Sequence, residues 1–258
     1  ARSFFQFFEN HRLMHKERPK WRTVTGGSRN YVSRVSELLG ERLQLSSGVQ
    51  SIKPFGDKVR IDLKDGSTPV YDDVIIATHS DTALSLIDPA FESQNFLLRS
   101  IRYRPNTIYL HRDPSLMPKK KAAWASWNVM KQGRPEMCLT YWMNRLQNLP
   151  NDKPLFVTLN PETPPAADLT FAKMEKAHPQ FDAPAEAAVR ALKREQGKDK
   201  IWFAGAWMGS GFHEDGLKSG LSCALSLGGS VPWTPEGVEI ASAVTNAPKT
   251  DKISLGAL

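Results

Sequence analysis

Cysteines, long apolar runs and hydrolase motifs are scarce or missing in this sequence of 258 residues. Two cysteines, Cys138 and Cys223, exclude a disulfide framework and any four-cysteine metal site, so we expect no metal and two buried thiols. Apolar runs such as Val74 to Ala77 reach four residues, against the ~18 that a membrane helix needs. Neither G-x-S-x-G nor H-E-x-x-H occurs, which argues against a serine hydrolase and a zinc protease.

Positive charge exceeds negative charge, with 34 Lys and Arg against 27 Asp and Glu and a net charge of +7. The cations are scattered, and the densest run, Lys119 to Lys121, is typical of a solvated loop. No zinc-finger spacing or RNP-like motif accompanies them, so we predict no nucleic-acid partner. A phosphate-bearing cofactor, or peripheral contact with an anionic membrane, accounts for the same charge. With no signal-peptide pattern after Ala1, we expect a cytoplasmic protein, and membrane association stays open.

Apolar periodicity and turn residues predict alternating helices and strands, interrupted by a mostly β insertion. Val59, Ile61 and Leu63 alternate with polar residues and precede Asp65-Gly66, which is typical of a hairpin. The predicted helices are residues 1–20, the segment from Ser28 to Gly40, and residues 185–196 and 214–227. The predicted strands are 74–77 and 201–204, both fully buried, and the shorter pieces 107–110, 122–127, 137–142 and 155–159. Residues 161–184 are predicted as a loop and those after Gly229 as a tail.

The most informative segment is residues 201–220, which reads IWFAGAWMGSGFHEDGLKSG. It predicts a buried strand that leads through a glycine-rich turn into a helix. Glycines let a ligand approach the backbone, and a helix N-terminus presents unpaired N–H groups with a partial positive charge. This arrangement suits a phosphate or the carbonyl edge of a ring cofactor, while a glycine-rich turn without a ligand is the alternative.

This segment resembles the C-terminal FAD-binding motif of the flavin-containing amine oxidase superfamily, in which Phe-Ala-Gly leads through a glycine–aromatic turn into the last helix. Further segments that match in the expected order are Thr25-Gly26-Gly27-Ser28, Leu45 to Ile52, and Tyr71 to Thr78. The segments that resemble a branch described as predicted NAD/FAD-binding proteins are 123–128, 140–146 and 211–216. The G-x-G-x-x-G turn that opens the family's fold does not occur in this sequence, so we expect the chain to be the C-terminal part of such a protein.

The resemblance implies an α/β fold, namely an FAD-binding Rossmann-like domain without its first βαβ unit and with a mixed α+β substrate domain inserted. It assigns residues 21–90 and 201–230 to FAD binding and residues 1–20 and 91–200 to the substrate domain, with 231–258 as a tail. An upstream chain segment would then complete the FAD site, and the chain alone would bind FAD poorly.

The resemblance also implies roles for single residues of the cofactor site. The backbone of Val49 would bind adenine, and Gly205 and Ala206 would approach the ribityl-pyrophosphate. Phe212 and His213 would lie at the isoalloxazine ring, with the amide of His213 near the N1–C2=O edge. The residues that would shape the turn are Gly211, Glu214 and Gly216.

Candidate catalytic residues are few. Phe212 and His213 would lie beside the flavin, where His213 is either a base or a residue used through its backbone alone. Arg29, with Asn30 directly after the double glycine, either pairs with a carboxylate or phosphate of the substrate or lies at the surface. The aromatic residues that would line an apolar substrate cavity, or else belong to the core, are Trp124, Trp127, Tyr141 and Trp142.

Together these features predict an FAD-dependent oxidoreductase that transfers a hydride from a substrate C–H bond to flavin N5. The expected substrate is a small apolar or lipid-like molecule. Two alternatives stay open: a flavin-dependent isomerase or mutase without net redox change, and a non-catalytic fragment that has lost FAD binding. The sequence offers no match to the lysine that holds a water at flavin N5 in amine oxidases, so amine oxidation by oxygen has less support.

Overall fold

The computed structural model describes residues 9, 14, 22–131, 133, 137–231 and 233. The chain divides into two compact units, and we call residues 1–43 with 104–178 the first unit and residues 44–103 with 179–258 the second unit. The helix predicted over residues 1–20 and most of the predicted tail lie outside the described residues.

These two units differ from the predicted segments. Residues 22–43, expected with the cofactor domain, group with the β insertion, whereas residues 91–103 and 179–200, expected with the substrate domain, group with the second unit. A division by compactness does not show which part of the chain binds a cofactor. The assignment of segments to cofactor and substrate therefore stays a prediction.

Helices and strands alternate along the described chain. The helices are α1 (Arg29–Leu39), α2 (Ser80–Leu86), α3 (Glu92–Arg99), α4 (Met143–Gln147), α5 (Ala183–Arg194) and α6 (His213–Ser226). The strands are β1 (Val49–Phe55), β2 (Lys58–Leu63), β3 (Val70–Tyr71), β4 (Val74–Ile76), β5 (Tyr103–His111), β6 (Trp127–Met130), β7 (Cys138–Trp142), β8 (Phe156–Leu159), β9 (Thr170–Pro179) and β10 (Ile201–Phe203).

The second unit contains an antiparallel sheet of three strands in the order β1-β2-β3. Val59 of β2 is fully buried, in agreement with the apolar alternation that predicts this strand. The predicted hairpin turn is held by Asp65, whose Oδ1 accepts hydrogen bonds from the backbone N–H and the hydroxyl of Ser67 at 2.9 and 2.6 Å. This part of the fold depends on local hydrogen bonds, which is why the sequence pattern predicts it.

Strands β4 and β10 pair in parallel, with Ile76 opposite Phe203. Just beyond the pair, the backbone N–H of Ala204 donates to the carbonyl oxygen of Ile76 at 3.1 Å. The predicted parallel strand at 74–77 is confirmed over Val74–Ile76. Its predicted complete burial is wrong at Ile75, which is 41% exposed, and at Ala77, which is also exposed. The reason is that β4 pairs with a single strand within the described chain.

Helices α2, α3 and α5 surround the core of the second unit. The side chain of Asp182 caps α5 by accepting a hydrogen bond from the N–H of Ala185 at 3.0 Å, and Pro184 follows in the first turn, where its missing N–H costs nothing. The sequence analysis missed α2 and α3, because both are short and α3 buries two polar residues, Gln94 and Asn95, that obscure an apolar stripe.

The first unit contains a five-stranded sheet in the order β6-β7-β8-β5-β9. The strand predicted over 122–127 is wrong, since Lys121–Ala123 form a 3-10 turn and β6 begins at Trp127. The loop predicted over 161–184 is wrong as well, since it contains β9. This strand lies at the edge of the sheet and is mostly exposed, so it needs no apolar alternation and gives no sequence signal for a strand.

A row of buried polar side chains crosses three neighbouring strands of this sheet. His111, Thr158 and Thr140 are fully buried. The Nδ1 of His111 accepts a hydrogen bond from the N–H of Asp113 at 3.1 Å, so the neutral ring carries its proton on Nε2 and donates to Thr158 Oγ1 at 2.7 Å. Thr158 then donates to Thr140 at 2.8 Å, and Thr140 donates to the carbonyl of Leu116 at 3.0 Å. Every group in the row is satisfied while the imidazole stays neutral.

We expect the stability of the protein to fall as the pH decreases from about 7 to about 5. Burial lowers the pKa of His111 below its ordinary value of about 6.5, although the nearby carboxylate of Asp113 opposes part of this shift. Because the pKa of His111 is lower in the folded protein than in the unfolded chain, the neutral ring stabilises the fold fully above about pH 6.5. This stabilisation is lost as the pH falls toward the pKa of the folded state. Urea denaturation at each pH measures the free energy of unfolding.

The variant His111→Gln should show a smaller loss of stability between these two pH values. The control variant Phe156→Leu removes part of a ring that packs against His111 and should lower the free energy of unfolding equally at each pH. Equal pH slopes for wild type and His111→Gln would show that the buried imidazole does not control this loss.

Candidate functional site

The predicted strand, turn and helix at residues 201–220 are confirmed as β10, a glycine-rich turn and α6. Gly205 follows β10 with φ +154°, and a Cβ there would lie 2.6 Å from Nε1 of Trp207. The same Nε1–H donates to the carbonyl oxygen of Thr78 at 3.0 Å, just after β4. Trp207 therefore joins the ends of both parallel strands, and glycine at 205 makes room for it.

Ser219 docks helix α6 against the end of β10. Its hydroxyl oxygen accepts a hydrogen bond from the N–H of Gly205 at 2.9 Å, and the hydroxyl lies 3.2 and 2.8 Å from the carbonyl oxygens of Gly205 and Gly216. The amide of Gly205 is therefore engaged within the chain, and the space of its missing side chain is taken by the ring of Trp207. The neighbouring Ala206 is half-buried in the same turn.

The N-terminus of α6 is capped from within its own first turn. The N–H of Phe212 donates to Oδ2 of Asp215 at 2.9 Å. By helix geometry, the amides of His213 and Glu214 have no partner inside the helix, so they are available to an acceptor outside it. The carboxylates of Glu214 and Asp215 reduce the positive potential at this terminus, and Glu214 is itself paired with Lys218 at 3.6 Å.

The glycines of this turn have different physical explanations. A Cβ at Gly209 would overlap the carboxylate of Asp215, and Gly211 has φ +92° and faces the ring of Phe181, whose Cζ would lie 3.0 Å from an added Cβ. At Gly216 an added Cβ would make ordinary contact, 3.7 Å from the nitrogen of Ala206. The chain's own packing accounts for the first two glycines and not for Gly216.

Phe181 is a candidate site residue that the sequence analysis missed, because it lies in the stretch predicted as a loop. Its ring is 46% exposed and contacts the glycine-rich turn. A cavity of about 180 Å³ lies on this side of the turn and is bordered by Phe181, Trp207, Gly209 and helix α5. It is smaller than the ~300 Å³ at which ligand pockets begin, so it admits a small apolar group and not a flavin.

Other predicted site residues lie apart from this turn along the chain. Val49 begins β1 in the second unit and is half-buried. Arg29 and Asn30 begin α1 in the first unit, where both are exposed. Asn30 has a local role, since its side-chain amide donates to the carbonyl of Thr25 at 2.6 Å and closes the Gly26-Gly27 turn.

One face of the five-stranded sheet, which we call the apolar face, carries apolar side chains that remain partly exposed. Strand register places two residues from each of four strands on it: Ile108, Leu110, Trp127, Val129, Leu139, Tyr141, Val157 and Leu159. Trp127 and Val129 are 48% and 62% exposed, and the other six are half-buried. This face could hold an apolar ligand without displacing any charged side chain from these rows.

The predicted aromatic residues separate between the two faces of the sheet. Trp127 and Tyr141 pack edge to face on the apolar face, with ring centroids 6.1 Å apart, and burial raises the pKa of Tyr141. Trp124 and Trp142 contact each other at 5.3 Å on the opposite side, where Trp124 also meets Phe156. The first pair lies on the apolar face, and the second pair belongs to the packing around Phe156.

Within the described residues, no group of three or more His, Cys, Asp or Glu side chains is placed to hold a metal ion. Cys138 and Cys223 are both buried, as expected, and burial raises the pKa of Cys223 to about 11. In the described part of the chain no helix combines the length and apolarity required to cross a bilayer.

The fold belongs to a known class, that of FAD-binding amine oxidases. Cyclohexylamine oxidase from Brevibacterium oxydans IH-35A is similar with 14% identity and a TM-score of 0.54, over 78% of this chain and 52% of that one. Putrescine oxidase in complex with putrescine is similar with 14% identity and a TM-score of 0.54, over 79% and 53%. The chain thus spans about half the length of these structures, and at this identity the likeness concerns the fold alone.

The family follows from the sequence itself. The model of flavin containing amine oxidoreductases matches residues 1–160, which is more than half of the chain, and the chain belongs to this family. A search among curated proteins gave no match. Membership in this family implies a flavin cofactor. The match ends before β10 and α6, so the site residues assigned there stay predictions.

We expect Ser219→Ala to lower the free energy of unfolding by about 1–2 kcal/mol, because the N–H of Gly205 loses its acceptor in a partly buried site. Ser210→Ala is the matched control, since Ser210 is exposed in the same turn and should change stability by less than about 0.5 kcal/mol. Urea denaturation measures both. Equal effects of the two changes would show that Ser219 does not dock α6.

Proposed function

We propose that the protein is an FAD-dependent oxidoreductase that takes a hydride from a substrate C–H bond. Family membership supports a flavin, and the N-terminus of α6 is the observation that carries the proposed site. The backbone N–H groups of His213 and Glu214 have no hydrogen-bond partner within the helix. In the same turn, the packing of the chain leaves room for a side chain at Gly216, so it does not explain why glycine occurs there. A ligand that approaches this turn would account for both features.

The chain's residues would hold FAD mainly through their backbone. The amides at 213 and 214 would donate to an electron-rich edge of the ring, and the partial positive charge of the helix terminus would stabilise negative charge there. Gly205 and Ala206 would pass close to the ribityl-pyrophosphate, and the backbone of Val49 would bind adenine. FAD, when bound, supplies the hydride acceptor at its N5 position.

Phe212 and His213 would lie beside the ring. His213 is exposed at the start of α6, so its backbone amide suffices for this role, and its imidazole is available as a base. Phe181, which contacts Gly211, would add a second aromatic ring on this side of the turn. Arg29 remains a candidate for binding an anionic group of the substrate.

The proposed substrate is apolar or lipid-like. The apolar face of the first unit supports this, because its eight side chains carry no charge and stay partly exposed. A monomeric protein gains free energy by covering such a surface, and an alkyl chain would do so at about 0.8 kcal/mol per buried CH₂ group.

We also propose a partner, a further chain segment that completes the cofactor site. The chain spans about half the length of the similar oxidases. Strand β4 pairs with one strand in the described chain and leaves Ile75 partly exposed, so its other edge can accept a parallel strand. The net charge of +7 is also compatible with peripheral contact with an anionic membrane.

The first test compares two glycines of the same helix. Gly216→Ala and Gly220→Ala should each stabilise α6 by up to about 1 kcal/mol, because alanine favours a helix interior. Only Gly216→Ala should weaken FAD binding, by about tenfold or more, since its Cβ would occupy the side of the helix that faces Ala206. Fluorescence titration with FAD and thermal denaturation measure the two effects.

Gly220 is the control because an added Cβ there meets no atom within 4 Å. Equal FAD affinities for both variants would remove α6 from the proposed site. A protein that binds no FAD even when the further chain segment is supplied would contradict the proposed function. Anaerobic bleaching of bound FAD by an acyl substrate would support net oxidation, whereas turnover without bleaching would indicate an isomerase.

The second test concerns the apolar face. Val129→Glu should weaken binding of the fluorescent fatty acid cis-parinaric acid by about tenfold, because an alkyl chain would have to desolvate a carboxylate. Ala122→Glu adds the same charge at an exposed position outside the apolar face and should leave binding unchanged. If both variants bind the fatty acid as the wild type does, the apolar face is not the substrate surface.

A further inference from the structure

Strand β9 is the longest strand of the five-stranded sheet and forms one of its edges. Within the described chain its one neighbour in the sheet is β5, and the middle of the strand, residues 173–176, is exposed. The outer side of such a strand presents a row of backbone N–H and C=O groups that a further strand can pair with. The side chains along this edge therefore decide what it accepts.

The pairing of β9 with β5 determines which backbone groups point out of the sheet. The N–H of Gln180, directly after β9, donates to the carbonyl oxygen of Arg102, directly before β5, at 2.8 Å. Seven residues further along each strand, Nζ of Lys173 lies 5.9 Å from the centroid of the Tyr109 ring, so both contacts fit one antiparallel register. Because backbone direction alternates along a strand, the even-numbered residues of this stretch face β5 and the odd-numbered residues face outward.

The charged residues at the outward-facing positions are Lys173 and Glu175, which have opposite signs. Within the described residues, neither side chain forms an ion pair. Lysine on an edge strand is a common protection against pairing, because it repels an identical edge. The glutamate two residues away removes this protection in any register that brings it opposite the lysine of another copy.

One antiparallel register of β9 with itself meets both conditions. If a two-fold axis passes through Met174, the outward-facing groups of residues 173 and 175 meet those of residues 175 and 173 of the second copy, and each lysine lies opposite a glutamate. An axis through Lys173 places lysine opposite lysine, and an axis through Glu175 places glutamate opposite glutamate. An axis midway between two residues brings outward-facing groups against inward-facing ones, so the backbones cannot pair.

We propose that β9 pairs with β9 of a second copy of this chain about an axis at Met174, which joins the two five-stranded sheets into one. The interface contains two Lys173–Glu175 ion pairs, and the two Met174 side chains, each 39% exposed, meet at its centre. A single pair of strands buries less than the ~800 Å² per partner of a stable complex, so we expect a reversible dimer with a Kd of about 100 μM. This inference goes beyond the proposed function and involves no flavin.

Charge reversal tests the register. Glu175→Lys places lysine opposite lysine, and Lys173→Glu places glutamate opposite glutamate, so each variant should raise the Kd of its dimer by at least about tenfold. An equimolar mixture of the two variants restores both pairs of opposite charge and should form a mixed dimer about as tightly as the wild type does. Sedimentation velocity over a range of concentrations measures each Kd.

Lys176→Glu is the matched control for these variants. It makes the same charge change in the exposed middle of β9, but residue 176 lies opposite Ala172 of the second copy in the proposed register. The Kd of this variant should therefore stay within about threefold of the wild-type value.

Cross-linking by oxidised glutathione tests the position of the axis. The Cα atoms of the two residues 174 would lie about 4.5 Å apart, a distance that a disulfide spans. Met174→Cys should therefore give a covalent dimer, whereas Ala172→Cys should not, because the two copies of residue 172 would lie more than about 10 Å apart. The native cysteines are both buried, so the wild type should stay uncross-linked.

A wild-type protein that remains monomeric up to about 1 mM, tenfold above the expected Kd, would overturn the inference. So would a dimer that persists in both charge variants, since it would form through another surface, or a cross-link at residue 172 as efficient as that at residue 174. The wild-type measurement decides the question even if a variant fails to fold. The FAD titration of Gly216→Ala is a separate measurement, so either proposal can fail without the other.

Discussion

The docking of α6 against the end of β10 is the constraint on which the candidate cofactor site depends. Ser219 engages both backbone groups of Gly205, and Trp207 extends the same junction to the end of β4 through Thr78. These contacts need a residue without a side chain at 205. Because they fix the start of α6 relative to both parallel strands, the unpaired amides of its first turn are held in place before any ligand arrives.

The five-stranded sheet obeys a comparable constraint through its buried polar row. A slip of one residue in any strand would exchange its two faces, and would move His111, Thr158 or Thr140 out of the hydrogen bonds that satisfy them. Such a slip would leave a buried polar group unpaired, which costs about 1–3 kcal/mol. The polar row on one side thus keeps the apolar residues, among them Leu139 and Tyr141, on the other side.

Local patterns predicted the parts of the fold that depend on local physics. The Asp65-Gly66 hairpin, the parallel strand at 74–77 and the helix that begins near Glu214 all follow from periodicity and turn residues. Strand β9 escaped prediction because an exposed edge strand needs no apolar alternation. The contact of Phe181 with Gly211 joins residues 30 positions apart in sequence, and no local pattern encodes such a contact.

The glycine-rich turn illustrates how the structure narrows a sequence argument. In the sequence, each glycine between 205 and 216 is equally compatible with the approach of a cofactor. In the structure, the side chains of Trp207, Asp215 and Phe181 crowd the space that a Cβ would occupy at the first three of these glycines. An added Cβ at Gly216 would make only ordinary contacts. The case for a flavin at this turn therefore rests on Gly216, on the unpaired amides beside it and on the family, and no longer on the number of glycines.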